Sequence, residues 1–324
     1  MKYAKRVVGW VCFVVGLLVL LQGVSWVVQP KDNTVEAGME RVQANGILGE
    51  APDTIDVLIL GNSEAHTAFS PMLLWKQTGY TSYTCGTDAQ VLPYSKTMLK
   101  RALERQKPKV VILEALNLYH NMTAGDMYLE ELSDRLPVFR YHDRWKGLSQ
   151  RDFTGPVETT GRNLYKGHVP KVKVDPWEGG DYMTPTGVPA RIARTNRLYV
   201  QWIQKICQDH GAQLILVSAP SPANWSDARG LGAAAFAGEL GCPYLDLNRE
   251  QAALGLDWSK DTYDKGDHLN NDGATKVSMR LGEYLQALGI LTDHRGDPRF
   301  SDWDALLKDY EAFLAQQEEK KPGA

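Results

Sequence analysis

Apolar positions along this chain fall into runs of two lengths. Residues 7–28 form one unbroken stretch of 22 positions without a charge. At about 1.5 Å per residue, a helix of that length rises roughly 33 Å, which matches a bilayer hydrocarbon core of about 30 Å. Short apolar runs at 55–60, 80–85, 109–113, 213–217 and 243–247 are bounded by Gly, Pro or polar residues and predict buried strands. Between them lie stretches with helical periodicity. Ser70 and Pro71 open one that Gly79 closes, and others cover 93–106, 191–210 (stopped by Gly211), 229–240 and 272–288. Buried strands alternating with helices predict a three-layer α/β/α domain of flavodoxin-like type, with a parallel sheet and its chemistry in the loops after the strand C-termini.

Two segments break this rhythm. Residues 30–52 are polar and carry Gly38, Gly46 and Gly49, reading as a stalk with a short helix near 35–43. Residues 121–189 are rich in Pro and Gly, contain Tyr141-His142-Asp143-Arg144-Trp145, and are too long for a plain loop, so they read as an insertion that walls the site. The expected organisation is therefore a cytoplasmic tip and transmembrane anchor at 1–29, a stalk at 30–52, and one domain at 53–292 with its insertion at 121–189. A C-terminal amphipathic helix and tail follow at 293–324. In that helix Trp303, Leu306, Leu307, Tyr310, Phe313 and Leu314 share one stripe suited to packing, and a charged end runs from Gln316 to Lys321.

Charge gives the apolar run a direction. Lys2, Lys5 and Arg6 precede it without an acidic neighbour, so the positive-inside rule keeps the N-terminus cytoplasmic and places the rest outside the membrane. A cleaved signal peptide is the rival, but the exit Gln22-Gly23-Val24-Ser25-Trp26 offers no small-x-small site and ends in an interfacial Trp. The chain is net −3, and more acidic still once those three basic residues are set aside, which argues against nucleic-acid binding. The four cysteines have no Cys-x-x-Cys spacing, so neither a disulfide scaffold nor zinc ligation is expected, although one disulfide among Cys85, Cys207 and Cys242 stays open.

Candidate chemistry sits at the two ends of the domain. Gly61-Asn62-Ser63-Glu64-Ala65-His66 follows the first strand, where a serine hydroxyl faces the crevice. Serine is a weak nucleophile until a histidine, itself oriented by an acid, takes its proton. Read alone, Asn62-Ser63 is a helix cap. His268, just before the last helix of the domain, supplies a base with Asp264 four residues and Asp267 one residue upstream. His66 and His120 flank crevice loops without metal-ligand spacing, and His210 beside Gly211 reads as a helix C-cap.

Together the two tracts resemble the SGNH (GDSL-type) hydrolase superfamily. Gly61-Asn62-Ser63 matches its first motif. The resemblance implies Ser63 as nucleophile, His268 as base, and an oxyanion hole from the amides of Ser63 and Gly86 with the side chain of Asn117. The family's Asp-x-x-His spacing would put the acid at Lys265, so Asp264 is the expected acid and Asp267 its alternative. Its Gly-x-Asn-Asp reads Ala115-Leu116-Asn117-Leu118 here. Glu64, His142 and Arg144 are candidate substrate-binding residues, the latter two because they resemble a His-x-Arg-Trp segment of membrane-anchored SGNH-like proteins. By resemblance, the chain is expected to be an outward-facing esterase or O-acyltransferase on acetyl or other acyl esters of cell-envelope polysaccharide. A membrane-bound O-acyltransferase is the implied partner, and no cofactor or metal is implied. The alternative is a catalytically inactive binding or assembly component of such a complex.

Overall fold

A computed structural model describes residues 2–319. Lys320 and Lys321 of the charged end lie outside the described residues, as do the side chains of Lys2 and Glu318. In chain order the elements are α1 (Lys2–Val28), α2 (Val42–Asn45), β1 (Val57–Gly61), α3 (Ser63–Ala68), α4 (Pro71–Thr78), β2 (Ser82–Gly86), α5 (Leu92–Leu103) and β3 (Val110–Glu114). The short helices α6 (Ala124–Arg135), α7 (Val138–Tyr141) and α8 (Gln150–Thr154) follow. The chain then continues through α9 (Arg194–Asp209), β4 (Gln213–Ser218), α10 (Asp227–Leu240), β5 (Tyr244–Asp246), α11 (Asn271–Leu288) and α12 (Ser301–Glu319).

The chain forms two compact units, residues 41–122 with 162–324 and residues 1–40 with 123–161. The larger unit holds a five-stranded, wholly parallel sheet of order β2-β1-β3-β4-β5, the doubly wound flavodoxin-like arrangement. The reversal of winding falls between β1 and β3. Every residue of β1, β2 and β3 is buried, because helices cover both faces of a parallel sheet. Val57 and Ile59 join Phe69, Leu74, Val277 and Leu281 in one core cluster, where α3 and α4 pack on α11. On alternate positions Leu58 and Leu60 are equally enclosed. The C-terminal stripe of α12 is anchored by Trp303 (2% exposed) and Tyr310 (0% exposed), with Trp303 against Trp75 of α4.

Part of the expected stalk belongs to this unit. Residues 41–50 are no spacer: Ala44 and Ile47 are buried, and Tyr83 of β2 donates to Gln43 O at 2.7 Å. Residues 162–169 of the expected insertion also return to it. Lys166 O accepts from Thr84 N–H of β2 at 2.9 Å, and Gly167 (φ 86°) lies where a Cβ would strike Thr84 O. Lys166 and Glu50, both nearly inaccessible, pair at 2.7 Å beneath this contact.

The helix expected near 35–43 is not formed over 35–40, where Gly38 takes a left-handed φ of 79° and the segment turns; helix starts only at Val42, in α2 of the larger unit. Asp32 accepts from Thr160 N–H at 2.9 Å, and Asn33 exchanges hydrogen bonds with Gly161 at 2.7 and 2.8 Å, so residues 30–33 are also tied down. Helix α1 is long and apolar enough to cross a membrane, and most of its side chains are exposed. All four cysteines are free thiols, with Cys85 and Cys207 buried.

Candidate functional site

Close approach of backbone elements builds the crest over β1. In register across the sheet, Gly61 ends β1 beside Gly86 of β2. A Cβ on Gly61 would stand 2.6 Å from Ala65 Cβ and 2.7 Å from Glu114 Cβ, so only glycine lets α3 start this near the strand. Gly86 is placed less tightly, with Asn62 O and His66 Cβ at 3.0 and 3.2 Å from its virtual Cβ. Asn62 caps α3, its side chain accepting from Glu64 N–H at 3.2 Å, which leaves Ser63 as the first helical residue, half-buried at the crest. The capping reading and the nucleophile reading therefore fall on adjacent residues and are both compatible with the geometry.

The histidine arrives on the loop before α11. Lys265 and Gly266 both take left-handed φ, 60° and 82°, and curl the chain back, so that Asp264 Oδ2 meets His268 Nδ1 at 2.7 Å while Asp264 Oδ1 accepts from His268 N–H at 2.7 Å. The four-residue spacing works through this tight loop and not through the helical turn it suggests. Thr262 pins the base of the loop, donating to His268 O at 2.8 Å, and the Tyr263 ring stacks on the imidazole at 5.6 Å between centroids. Asp267 is the poorer partner, 3.7 Å from Nδ1 and hydrogen-bonded instead to Asn224.

Ser63 and His268 converge on one carboxylate. Ser63 Oγ donates to Glu64 Oε2 at 3.4 Å, and the same oxygen lies 4.0 Å from His268 Nε2. Nucleophile and base are thus separated by no more than the sum of those distances, while Nε2 itself is enclosed and has no hydrogen-bond partner among the described residues. Burial pulls the His268 pKa down, but the Asp264 hydrogen bond and the charges of Glu64 and Asp267 outweigh it, so the imidazole titrates above its ordinary value. Glu64, 3% exposed, is shifted upward by burial, with the His268 charge opposing. Below it Glu114 ends β3 fully buried, both oxygens accepting from Leu116 N–H at 3.0 Å, and burial together with the Glu64 charge drives its pKa far up.

Glu114 and Asn224 were not foreseen from the sequence. Asn224 Nδ2 donates to Glu64 Oε1 at 2.8 Å and also to Asp267, clamping the two acids from the loop after β4. A carboxylate closing the apolar run Val-Val-Ile-Leu-Glu was the available signal for Glu114. For Asn224 the sequence offers only an Asn-Trp-Ser context, which carries no sign of this contact.

Other expected residues take different places. Asn117 reaches the correct edge but is wholly enclosed. Its amide nitrogen donates to Gln90 O at 2.7 Å and its oxygen accepts from Asn62 N–H at 3.1 Å, so it ties two loops together and is no open oxyanion donor. His142 and Arg144 belong to the smaller unit. There Arg144 donates to Val28 O at 2.6 Å and pairs with Asp152 at 2.8 Å, and His142 is exposed, which makes structural use of the arginine the better account. His120 Nε2 meets the Asn62 amide at 3.1 Å, and His210 caps α9 through Ile206 O. Glu64, Asp267 and His268 offer ligand atoms within 4.8 Å of one another, the one such group among the described residues that could hold a metal ion. Of those atoms Glu64 Oε1 and Asp267 Oδ1 accept from Asn224 and His268 Nδ1 is held by Asp264, while Nε2 is unengaged.

No protein-family model and no curated protein matches the chain. Among solved structures, a lipase/acylhydrolase from Enterococcus faecalis is similar at 11% identity and a TM-score of 0.39, over 74% of this chain and 98% of that one. A psychrotrophic esterase from Pseudoalteromonas, solved with monoethylphosphonate as inhibitor, is similar at 9% identity and a TM-score of 0.39, over 72% and 98%. A GDSL-like lipase from Bacteroides thetaiotaomicron is similar at 11% identity and a TM-score of 0.35, over 72% and 88%.

Proposed function

We propose that this chain is a serine esterase or O-acyltransferase of SGNH type, held to a membrane by α1 and acting on acyl esters, most simply acetyl, of cell-envelope polysaccharide outside the cytoplasm. The observation that carries the chemical part is the oriented Asp264–His268 pair, with its Nε2 unengaged and turned to the same carboxylate oxygen as Ser63 Oγ. In the reaction Ser63 Oγ attacks the ester carbonyl carbon and its proton passes to His268 Nε2. The oxyanion is held by the backbone amides of Ser63 and Gly86. His268 then returns the proton to the departing alkoxide oxygen, leaving acyl-Ser63. Water or a sugar hydroxyl attacks the acyl carbon, gives its proton to His268, and the serine is restored. Asp264 holds Nδ1–H and so leaves Nε2 basic. The membrane-bound O-acyltransferase expected from the resemblance would supply or receive the acyl group.

A second reading is favoured by one contact. Ser63 donates to Glu64 and not to His268, the arrangement expected if the fold serves as a non-catalytic binding component. An activity-based fluorophosphonate separates the two. The esterase reading expects stoichiometric labelling that peptide mass mapping places on Ser63. No labelling of folded protein, or labelling elsewhere, would favour the binding component.

Glu64 also sets a pH signature. A neutral His268 is the working base, so hydrolysis should fall as pH drops through its raised pKa, above the ordinary value of about 6.5. In Glu64→Gln one of the charges raising that pKa is gone, while Asn224 still finds an oxygen to donate to. The acid limb of kcat/KM is expected to move to lower pH with the plateau within ~10-fold of wild type. A pH–rate profile with an unmoved limb contradicts this coupling.

A further inference from the structure

Beside the candidate nucleophile, on the β2 side of the crest, lies a cavity of about 340 Å³ lined by Arg41, Gln43, His66, Thr87, Asp88, Val169 and Lys171. That volume is within the roughly 300–1,000 Å³ typical of small-ligand pockets. Both its neighbours tie it to the site: His66 stands one helical turn after Ser63 on α3, and Thr87 directly follows Gly86.

Two cations face this cavity with no carboxylate partner of their own among the described residues. Arg41 adopts a left-handed φ of 53°, and its guanidinium lies over the Tyr94 ring at 4.1 Å. Lys171 Nζ lies 5.4 Å from the Tyr263 ring, the ring that stacks on His268. The one acid of the lining, Asp88, has a side chain 93% exposed and is held at 3.0 Å by His66 Nε2. Burial lowers the His66 pKa, so the imidazole is neutral at pH 7 and spends its Nε2 proton on Asp88. The lining therefore pairs an excess of positive charge with a carboxylate and an amide, Asp88 and Gln43, able to take hydroxyl groups.

We infer that this cavity is a subsite for an acidic saccharide unit, whose carboxylate or phosphate meets Arg41 and Lys171 while its hydroxyls meet Asp88 and Gln43. Its role as the part of a substrate next to the scissile ester rests on the esterase reading above. Binding itself does not. A fork-shaped guanidinium matches either oxyanion geometry, and Lys171 adds a point charge.

The test uses the full chain in detergent micelles carrying Ser63→Ala, titrated calorimetrically with tri-galacturonic acid, with neutral maltotriose and with glucose 6-phosphate. The acidic trimer or the sugar phosphate is expected to bind at least ~10-fold tighter than maltotriose, and the better of the two identifies the acidic group. Arg41→Gln and Lys171→Glu are each expected to weaken that ligand ~10-fold, and Lys171→Arg to retain it, which guards against a folding defect. Equal binding of acidic and neutral sugars, or acidic binding indifferent to Lys171→Glu, overturns the subsite. Hydrolysis of p-nitrophenyl acetate by wild type is measured separately. Its absence alongside charge-selective binding removes only the esterase reading, and its presence without such binding removes only the subsite.

Discussion

Full-length protein carrying Ser63→Ala is expected to hydrolyse p-nitrophenyl acetate at least ~10³-fold more slowly than wild type while unfolding at the same temperature. The size of the loss follows from the role: without Oγ no acyl-enzyme forms, and the oxyanion donors can assist only direct attack of water on the bound ester. Stability should hold because Ser63 contributes no cap. Asn62 performs that task through Glu64 N–H, and Thr67 Oγ1 uses Ser63 O, a backbone atom the substitution keeps. A Ser63→Ala protein with wild-type hydrolysis would remove the nucleophile assignment outright.

The second large effect belongs to Asp264→Asn, expected to lower kcat by about 10²- to 10⁴-fold. The asparagine oxygen can still accept from His268 N–H, so the loop keeps its shape. Its amide now donates to Nδ1, however, and moves the ring proton to Nε2, where the serine needs a lone pair. The pH dependence carries a sign as well. Loss of the carboxylate withdraws one hydrogen bond and one charge that raise the His268 pKa, leaving burial opposed only by the charges of Glu64 and Asp267, so residual activity should persist to lower pH than in wild type. Asp267→Asn serves as the comparison. At 3.7 Å from Nδ1 and held by Asn224, it is expected to change kcat less than ~10-fold. If Asp267→Asn proves the more damaging, the two acids exchange roles.

Much of the fold was legible because parallel strands buried on both faces are continuous apolar runs. The five strands lie where those runs stand, shifted by one or two residues at their ends. The short helix α3 was not legible, since Ser63–Ala68 is too brief to show a period and reads as a turn. Nor was the return of residues 162–169 to the sheet edge, because one backbone hydrogen bond and one buried ion pair leave no periodic trace. Within the site, Ser63, His268 and Asp264 could be proposed because two short tracts together resemble a family's motifs, whereas Asn62-Ser63 alone reads as a helix cap. Asn117 occupies the expected loop but turns its amide into the protein, a rotamer-level fact that spacing does not encode. Glu64 was noticed only as the neighbour of a serine, and its burial against Glu114 and Asn224 depends on three strands meeting.

The strap formed by Lys166 and Gly167 has a consequence for crowding. Strand β2 lies at one end of the sheet, and an uncovered end strand is a template on which another chain can add its own. Copies gathered in two dimensions by an apolar helix such as α1 would meet edge to edge far more often than copies free in solution. With Lys166 O already bonded to Thr84 N–H, and Gly167 lying against Thr84 O, the middle of that edge is closed to an added strand, and the Glu50–Lys166 pair lies beneath the closure.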